Sequence, residues 1–149
     1  TMIFKTYDYG LVLNGILAGL VGITAGADVV TPMESIYIGF IAGIIVVLAV
    51  ILLEKIKLDD VVGAVPVHLF CGVWGTLAVG IWGTDMSFIA QLKGVAVYGV
   101  AAFTASFILF GIMKYTMGIR VSAEEETEGL DIHEHGVHAY TTSMISKLK

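Results

Sequence analysis

Residues 35–53 read SIYIGFIAGIIVVLAVILL, a run of nineteen residues without one charged side chain. A helix rises about 1.5 Å per residue, so a run of this length crosses the roughly 30 Å hydrocarbon core of a bilayer. The run is rich in Ile, Val, Leu, Ala and Gly, and its polar and apolar residues do not alternate. This pattern favours a transmembrane helix over a barrel strand.

Three further uncharged runs have a similar length and cover residues 9–27, 61–84 and 94–113. We therefore predict an all-α membrane protein, a polytopic helical bundle formed by residues 1–117. Its four transmembrane helices are expected at about 9–29, 33–53, 62–84 and 92–115. Six of the thirteen acidic residues then fall within residues 124–134, so residues 118–149 are predicted to form a water-exposed tail.

The composition excludes several classes of protein. Of the 149 residues, 57% are hydrophobic and only 14% are charged, whereas a soluble domain carries about 25% charged residues. A net charge of −5 offers no basic patch for nucleic acid. There is no Ser-His-Asp grouping, phosphate loop or Cys/His metal spacing, so we expect neither enzymatic activity nor a cofactor or metal.

The basic residues predict the orientation in the membrane. If the chain crosses the membrane four times, five basic residues lie near the membrane on one side, and only Lys93 lies on the other side. The positive-inside rule then places the tail in the cytoplasm, with the chain in the plasma or inner membrane. The five are Lys5, Lys55, Lys57, Lys114 and Arg120.

The first run has an alternative interpretation as a signal peptide, with Lys5 before it and Ala25-Gly26-Ala27 as a cleavage site. We favour a membrane helix, because the run is long for a signal core and is interrupted by glycines.

Small residues recur at intervals of four in the first two runs. Gly15 and Gly19, and also Gly22 and Gly26, fit the spacing that lets membrane helices approach closely. Helix packing is the favoured role, and the lining of a narrow conduit is the alternative. Asn14 and Thr24 are expected to form hydrogen bonds between helices. The candidate helix-packing or pore-lining residues are Asn14, Gly15, Gly19, Gly22, Thr24 and Gly72.

His68 is the unusual residue of the third run, because an ionisable side chain at membrane depth is costly and is a candidate for function. A neutral imidazole has one donor and one acceptor and can pass a hydrogen bond or a proton along a file. The alternative is a structural histidine that joins two helices. Pro66 lies two residues earlier, and we expect it to start or kink the helix and to leave carbonyl groups that need partners.

The segment from Asp59 to Thr76, DDVVGAVPVHLFCGVWGT, closely resembles the tenth transmembrane helix of ammonium transporters, the Amt/Mep/Rh family. The segment from Asn14 to Ala25, NGILAGLVGITA, looks like the eighth helix of that family. Residues 118–122 (GIRVS), 128–131 (EGLD) and 135–140 resemble the family's cytoplasmic C-terminal region.

The resemblance implies the eleven-helix ammonium transporter fold, with an inverted repeat and a homotrimeric assembly. This chain would supply the last four helices and the tail, and the remaining N-terminal helices would complete the bundle. His68 matches the second of the family's two pore histidines. The implied function is transport of ammonium or ammonia: NH4+ is recruited and deprotonated, and NH3 moves along an apolar pore past a histidine relay.

The resemblance also implies a regulatory tail that packs on the cytoplasmic face, where a PII-type signalling protein docks in many relatives. The matching tail residues are Gly129, Asp131, His135, Gly136 and Tyr140. His133 occupies the position that is a phosphorylatable Thr or Ser in some relatives, so the same switch is not expected. A metal site at His133, His135 and His138 is conceivable, but a solvated segment is favoured.

Two alternatives to a transporter are an ammonium sensor on the same scaffold, which would signal through the tail, and a short structural or assembly subunit.

Overall fold

A computed structural model describes residues 8–138, and this part of the chain contains helices and no strand. The chain is therefore an all-α membrane bundle, as predicted. It divides into two compact units, one of residues up to Val100 and one from Ala101 onward.

The described residues contain six α-helices and one π-helical turn, joined by short connections. In order, they are α1 (Tyr9–Thr24), α2 (Pro32–Lys55), the π-helical turn Val65–Phe70, α3 (Cys71–Trp82), α4 (Phe88–Thr116), α5 (Ala123–Glu128) and α6 (Leu130–His135).

Short polar side chains start the first two helices. The carboxylate of Asp8 accepts a hydrogen bond of 2.9 Å from the Leu11 amide at the start of α1. Thr31 and Glu34 form a reciprocal capping box at α2, where Pro32 occupies the first turn. Both arrangements satisfy amides that have no partner within the helix, and they fix where the two helices begin.

In the first unit, α1, α2, α3 and the π-helical turn pack against one another. Their buried core is built largely from small side chains: Ala18, Ala42, Val46, Val67 and Cys71. Small side chains allow the helix backbones to approach, which is how membrane helices gain packing energy without a hydrophobic driving force between them. The indole of Trp74 adds a link by donating a 3.0 Å hydrogen bond to the Ile38 carbonyl in α2.

One close contact between helices is centred on Gly22 of α1. A Cβ atom on Gly22 would lie 2.9 Å from the Cβ atom of Ala42, and a Cβ on Gly75 would collide with the Gly22 carbonyl. Gly22 therefore has no room for a side chain towards Ala42 of α2, and Gly75 of α3 has none towards the backbone of Gly22.

The outer faces of the helices are strongly apolar. Leu20 is 58% exposed and Phe40 is 70% exposed, and no residue of α4 is buried. Among residues 8–138, three continuous helical segments are long and apolar enough to cross a membrane: Pro32–Lys55, Val65–Trp82 and Phe88–Thr116. Helix α1 is apolar but shorter, at 16 residues, because it ends at Thr24 and a turn follows around Gly26. Four membrane crossings therefore stay a prediction.

The second unit contains the polar tail segment. Ser122 and Glu125 form a capping box at the start of α5. Arg120 pairs with Glu126 at 2.9 Å, and Nε2 of His133 lies 2.8 Å from Glu128. These side chains are mostly exposed, so each pair contributes little to stability.

Candidate functional site

His68 lies in the π-helical turn Val65–Phe70, which continues directly into α3. The Cys71 amide donates to the carbonyl of Pro66, five residues earlier, and also to that of His68. A five-residue hydrogen bond widens the turn, and such π-helical turns are rare and often occur at functional sites.

Pro66 lies in the first turn of this helix, which begins at Ala64. The Val67 amide donates to the Gly63 carbonyl at 3.1 Å, the first bond of the ordinary four-residue pattern. An amide at residue 66 would have no acceptor within the helix, so proline fits this position without the loss of a bond. The Val62 carbonyl lies before the helix, and Nδ2 of Asn14 in α1 donates to it at 3.1 Å.

A carboxylate holds the next two amides of the same segment. Asp60 accepts hydrogen bonds from the Ala64 amide at 2.9 Å and from the Val65 amide at 2.8 Å, one on each oxygen. Both amides lie at the N-terminal end of the helix, where a negative charge is favourable.

Gly63 makes the approach of Asn14 sterically possible. Its φ of +74° lies in the left-handed region that favours glycine. A Cβ atom at this position would also collide with the Asn14 amide nitrogen. The chain therefore reaches the His68 turn through a bend that only glycine fits.

The turn separates its side chains into a buried face and an open face. Pro66 and Val67 are buried, whereas His68 is exposed in this chain. His68 borders a mostly apolar groove of about 320 Å³ within the first unit. The groove is lined by Leu69, Gly72, Val73 and Thr76 after it in the chain, and by Gln91, Gly94, Val95, Tyr98 and Gly99 of α4. An imidazole there can both donate and accept a hydrogen bond in an apolar setting.

The other candidate residues of the first unit differ in their surroundings. Gly72 lines the groove one turn after His68, and Gly22 lies at the close helix contact. A Cβ atom on Gly15 or Gly19 would have no neighbour within 4 Å in this chain. The Thr24 hydroxyl donates to the Leu20 carbonyl of its own helix at 2.6 Å, and not to another helix.

The candidate residues of the tail lie in and around α6. Gly129 and Gly136 flank the helix with φ values of +104° and +67°, and Asp131 and His135 lie within it. Tyr140 lies outside the described residues. Between residues 8 and 138, no group of three or more His, Cys, Asp and Glu side chains is placed to hold one metal ion.

Sequence reasoning missed three residues that shape the site: Asp60, Gly63 and Gly75. Asp60 accepts from amides four and five residues later, farther along the chain than the two or three residues of an ordinary N-cap, so the usual helix-start pattern does not find it. The roles of Gly63 and Gly75 depend on contacts with α1, which no local pattern shows.

Comparisons with known proteins agree with this architecture. The family model described as Ammonium Transporter Family matches residues 4–140. The chain is 49% identical to a Synechocystis protein named "Putative ammonium transporter sll1017", over 83% of this chain and 28% of that protein. It is 45% identical to ammonium transporter Amt2 of Archaeoglobus fulgidus, over 89% of this chain and 33% of that protein.

A third relative is ammonium transporter Amt2 of Methanocaldococcus jannaschii, at 41% identity over 93% of this chain and 35% of that protein. The chain thus spans about a third of the length of these curated relatives. Because the family model covers nearly the whole sequence, the chain belongs to the Ammonium Transporter Family.

Proposed function

We propose that this chain is the C-terminal part of an ammonium transporter and that His68 borders its conducting path. The observation that carries the proposal is the placement of His68. Its side chain lies on the exposed side of the turn and borders an apolar groove. The family and its named relatives support ammonium as the transported species.

The physical chemistry of the substrate fits such a path. A bare cation pays a very large cost on leaving water for an apolar environment, and neutral ammonia pays far less. Apolar walls therefore exclude K+ and favour NH3 once NH4+ has lost its proton. A neutral imidazole gives NH3 one donor and one acceptor on the way.

The proposed architecture extends beyond the described residues. Four membrane-crossing helices from this chain, at about 9–29, 33–53, 62–84 and 92–115, would join the remaining N-terminal helices of an eleven-helix subunit. Three such subunits would assemble in the plasma or inner membrane. The tail, with Gly129, Asp131, His135 and Gly136, would lie in the cytoplasm and offer a surface to a PII-type regulator.

The test is transport by the full-length protein that contains this sequence, purified and reconstituted in liposomes. Labelled methylammonium is supplied in mildly acidic buffer, where nearly all of it is cationic and crosses lipid slowly. We expect uptake above that of protein-free liposomes and no comparable uptake of K+.

His68→Ala is expected to lower uptake at least about tenfold or to admit K+, because the imidazole that can both donate and accept a hydrogen bond on this part of the path is lost. Ser35→Ala is the matched control, since it removes a hydrogen bond at the start of α2, away from the groove. If folded His68→Ala protein keeps both transport and selectivity, the proposed role of His68 is wrong.

The same preparation distinguishes the alternatives to a transporter. An ammonium sensor would bind ammonium without carrying it across the liposome membrane. A short assembly subunit would neither bind nor transport. Either result would contradict the proposed function.

A further inference from the structure

We propose that Thr76 and Gln91 form a hydrogen-bonding site for the ammonium ion at the end of the groove farthest from His68. This inference rests on the proposed function, since it adds a second polar site to the path that His68 borders. The supporting observation is that both side chains line the same mostly apolar groove of about 320 Å³, Thr76 from α3 and Gln91 from α4. Both residues are half-buried.

The order of residues along the two helices separates this site from His68. Thr76 follows His68 by eight residues, which corresponds to about 12 Å along a helix. The chain turns back between α3 and α4, and Thr76 and Gln91 are the groove residues nearest to that connection. Tyr98 lies towards the His68 end, and the lining between the two ends consists of glycine and valine.

Backbone contacts hold the connection in place. A Cβ atom on Gly80 would collide with the backbone of Phe88, so α3 and the start of α4 lie against each other there. Thr76 precedes Gly80 by four residues and Gln91 follows Phe88 by three, about one helical turn in each case. The two side chains therefore face each other across the same end of the groove.

The two side chains offer acceptor oxygens to a ligand. The Thr76 hydroxyl donates to the Gly72 carbonyl at 3.0 Å, and its oxygen can still accept a hydrogen bond. Within residues 8–138, the side-chain amide of Gln91 has no hydrogen-bond partner, so its oxygen is a second free acceptor. Two neutral acceptors suit an ion with several N–H donors. They would replace little of the oxygen shell that K+ requires.

The surrounding charges leave this role to the side-chain oxygens. The C-terminal end of α3 favours a cation and the N-terminal end of α4 disfavours one, so the two helix dipoles offset each other. Lys93 is exposed and does not line the groove. The predicted orientation places this end of the groove on the outer side, where NH4+ arrives with its proton. The site would therefore determine the apparent affinity for the cation, whereas His68 acts later on the path.

The first variant is Gln91→Met, which keeps the approximate length of the side chain and removes its acceptor. We expect the KM for methylammonium uptake by the reconstituted full-length protein to rise about tenfold, in the range that a hydrogen bond to a charged group supports. Maximal uptake per folded protein should stay within about twofold of the parent, because binding and not passage is weakened. Leu92→Met is the matched control, since it places the same side chain at the neighbouring exposed position, outside the groove.

A second pair of variants tests the site independently of whether Gln91→Met folds. Thr76→Val keeps the shape of the side chain and removes its hydroxyl, so the KM should again rise about tenfold. Thr76→Ser keeps the hydroxyl, and its KM should stay within about twofold of the parent. Uptake is normalised to folded protein by size-exclusion chromatography.

A parental KM in folded Gln91→Met or in folded Thr76→Val would overturn the inference. An equal rise of the KM in Leu92→Met or in Thr76→Ser would also overturn it. The parent and His68→Ala, measured beside these variants, separate this failure from failure of the proposed function. A parent without uptake contradicts the proposed function itself. If the parent transports and His68→Ala is impaired, an unchanged KM in the new variants contradicts the second site alone.

Discussion

At the scale of single residues, the distance between α1 and α3 is set by Gly22 and Gly75. A Cβ atom on Gly75 would lie 2.9 Å from the carbonyl carbon of Gly22 and closer still to its oxygen. The atoms in the way belong to a helix backbone, which cannot rotate aside as a side chain can. One methyl group would therefore force two helices apart.

Gly75→Ala is accordingly expected to destabilise the protein by about 1–3 kcal/mol, the usual cost of overfilling a packed interior. The measurement is the thermal unfolding midpoint of detergent-solubilised protein. Gly72→Ala is the matched control one turn earlier, because its new methyl group would meet only Val21 Cγ1, at an ordinary 3.8 Å. Equal unfolding midpoints for the two variants would show that the close contact between Gly75 and Gly22 does not determine the stability of the protein.

Single residues also show how far the sequence could predict the site. The sequence predicts that Pro66 starts or kinks a helix, and Pro66 lies in the first turn of the helix that begins at Ala64. The hydrogen bond from Asn14 to the Val62 carbonyl cannot be predicted from the sequence, because the two residues are forty-eight positions apart. Likewise, Gly22 belongs to a visible spacing of small residues, but its true neighbours, Ala42 and Gly75, follow from the tertiary fold.

At the scale of elements, a long apolar run predicts the presence of a helix more reliably than it predicts the residues at which the helix begins and ends. The second uncharged run became α2, extended by a capping box and a proline at its start. The fourth became α4, which begins at Phe88, ahead of Lys93, because a single lysine does not interrupt a helix. The π-helical turn could not be predicted, since proline and β-branched residues equally suit a kink or a plain helix start.

The short helix α5 depends on an acid in its capping box. Hydrogen bonds from the amide and then the hydroxyl of Ser122 lower the pKa of Glu125 below its usual value, and His133 adds a smaller effect. The folded helix therefore favours the carboxylate form. This contribution to stability is fully present above the pKa of the unfolded segment and is lost as the pH falls through the lower folded pKa.

We expect the protection factors of the α5 amides, which are corrected for the intrinsic pH dependence of exchange, to fall in the acid range as Glu125 becomes protonated. Glu125→Gln should flatten this pH dependence, because its amide oxygen still accepts a hydrogen bond but does not titrate. Glu124→Gln, beside it and outside the capping box, should preserve the dependence. Identical pH profiles for the parent and Glu125→Gln would contradict this role of the capping box.

At the scale of the whole molecule, apolar side chains on the outer faces and charges near the helix ends set the relation to the membrane. The basic residues predict that the tail and the segment after α2 lie in the cytoplasm, and that Asp85 lies on the opposite side. This orientation can be tested residue by residue, because Cys71 is the only cysteine of the chain and is buried.

In a background without other cysteines, Asp85→Cys should react with a membrane-impermeant maleimide in intact cells. Glu128→Cys should react only after the membrane is opened. Ala49→Cys, at a buried position of α2, should react under neither condition. The reverse pattern for the first two positions would place the tail outside the cell.

The widened turn before α3 has a consequence for the register of the whole bundle. The buried residues Val67, Cys71 and Gly75 follow one another at intervals of four. In a regular α-helix each such step overshoots a full turn by about 40°, so two steps would carry the last residue about 80° around the axis. The wider π-helical turn reduces this rotation, and all three residues lie on the buried side of the helix. An insertion or deletion within residues 65–70 would therefore swing Gly75 away from that side, far from the altered residue itself.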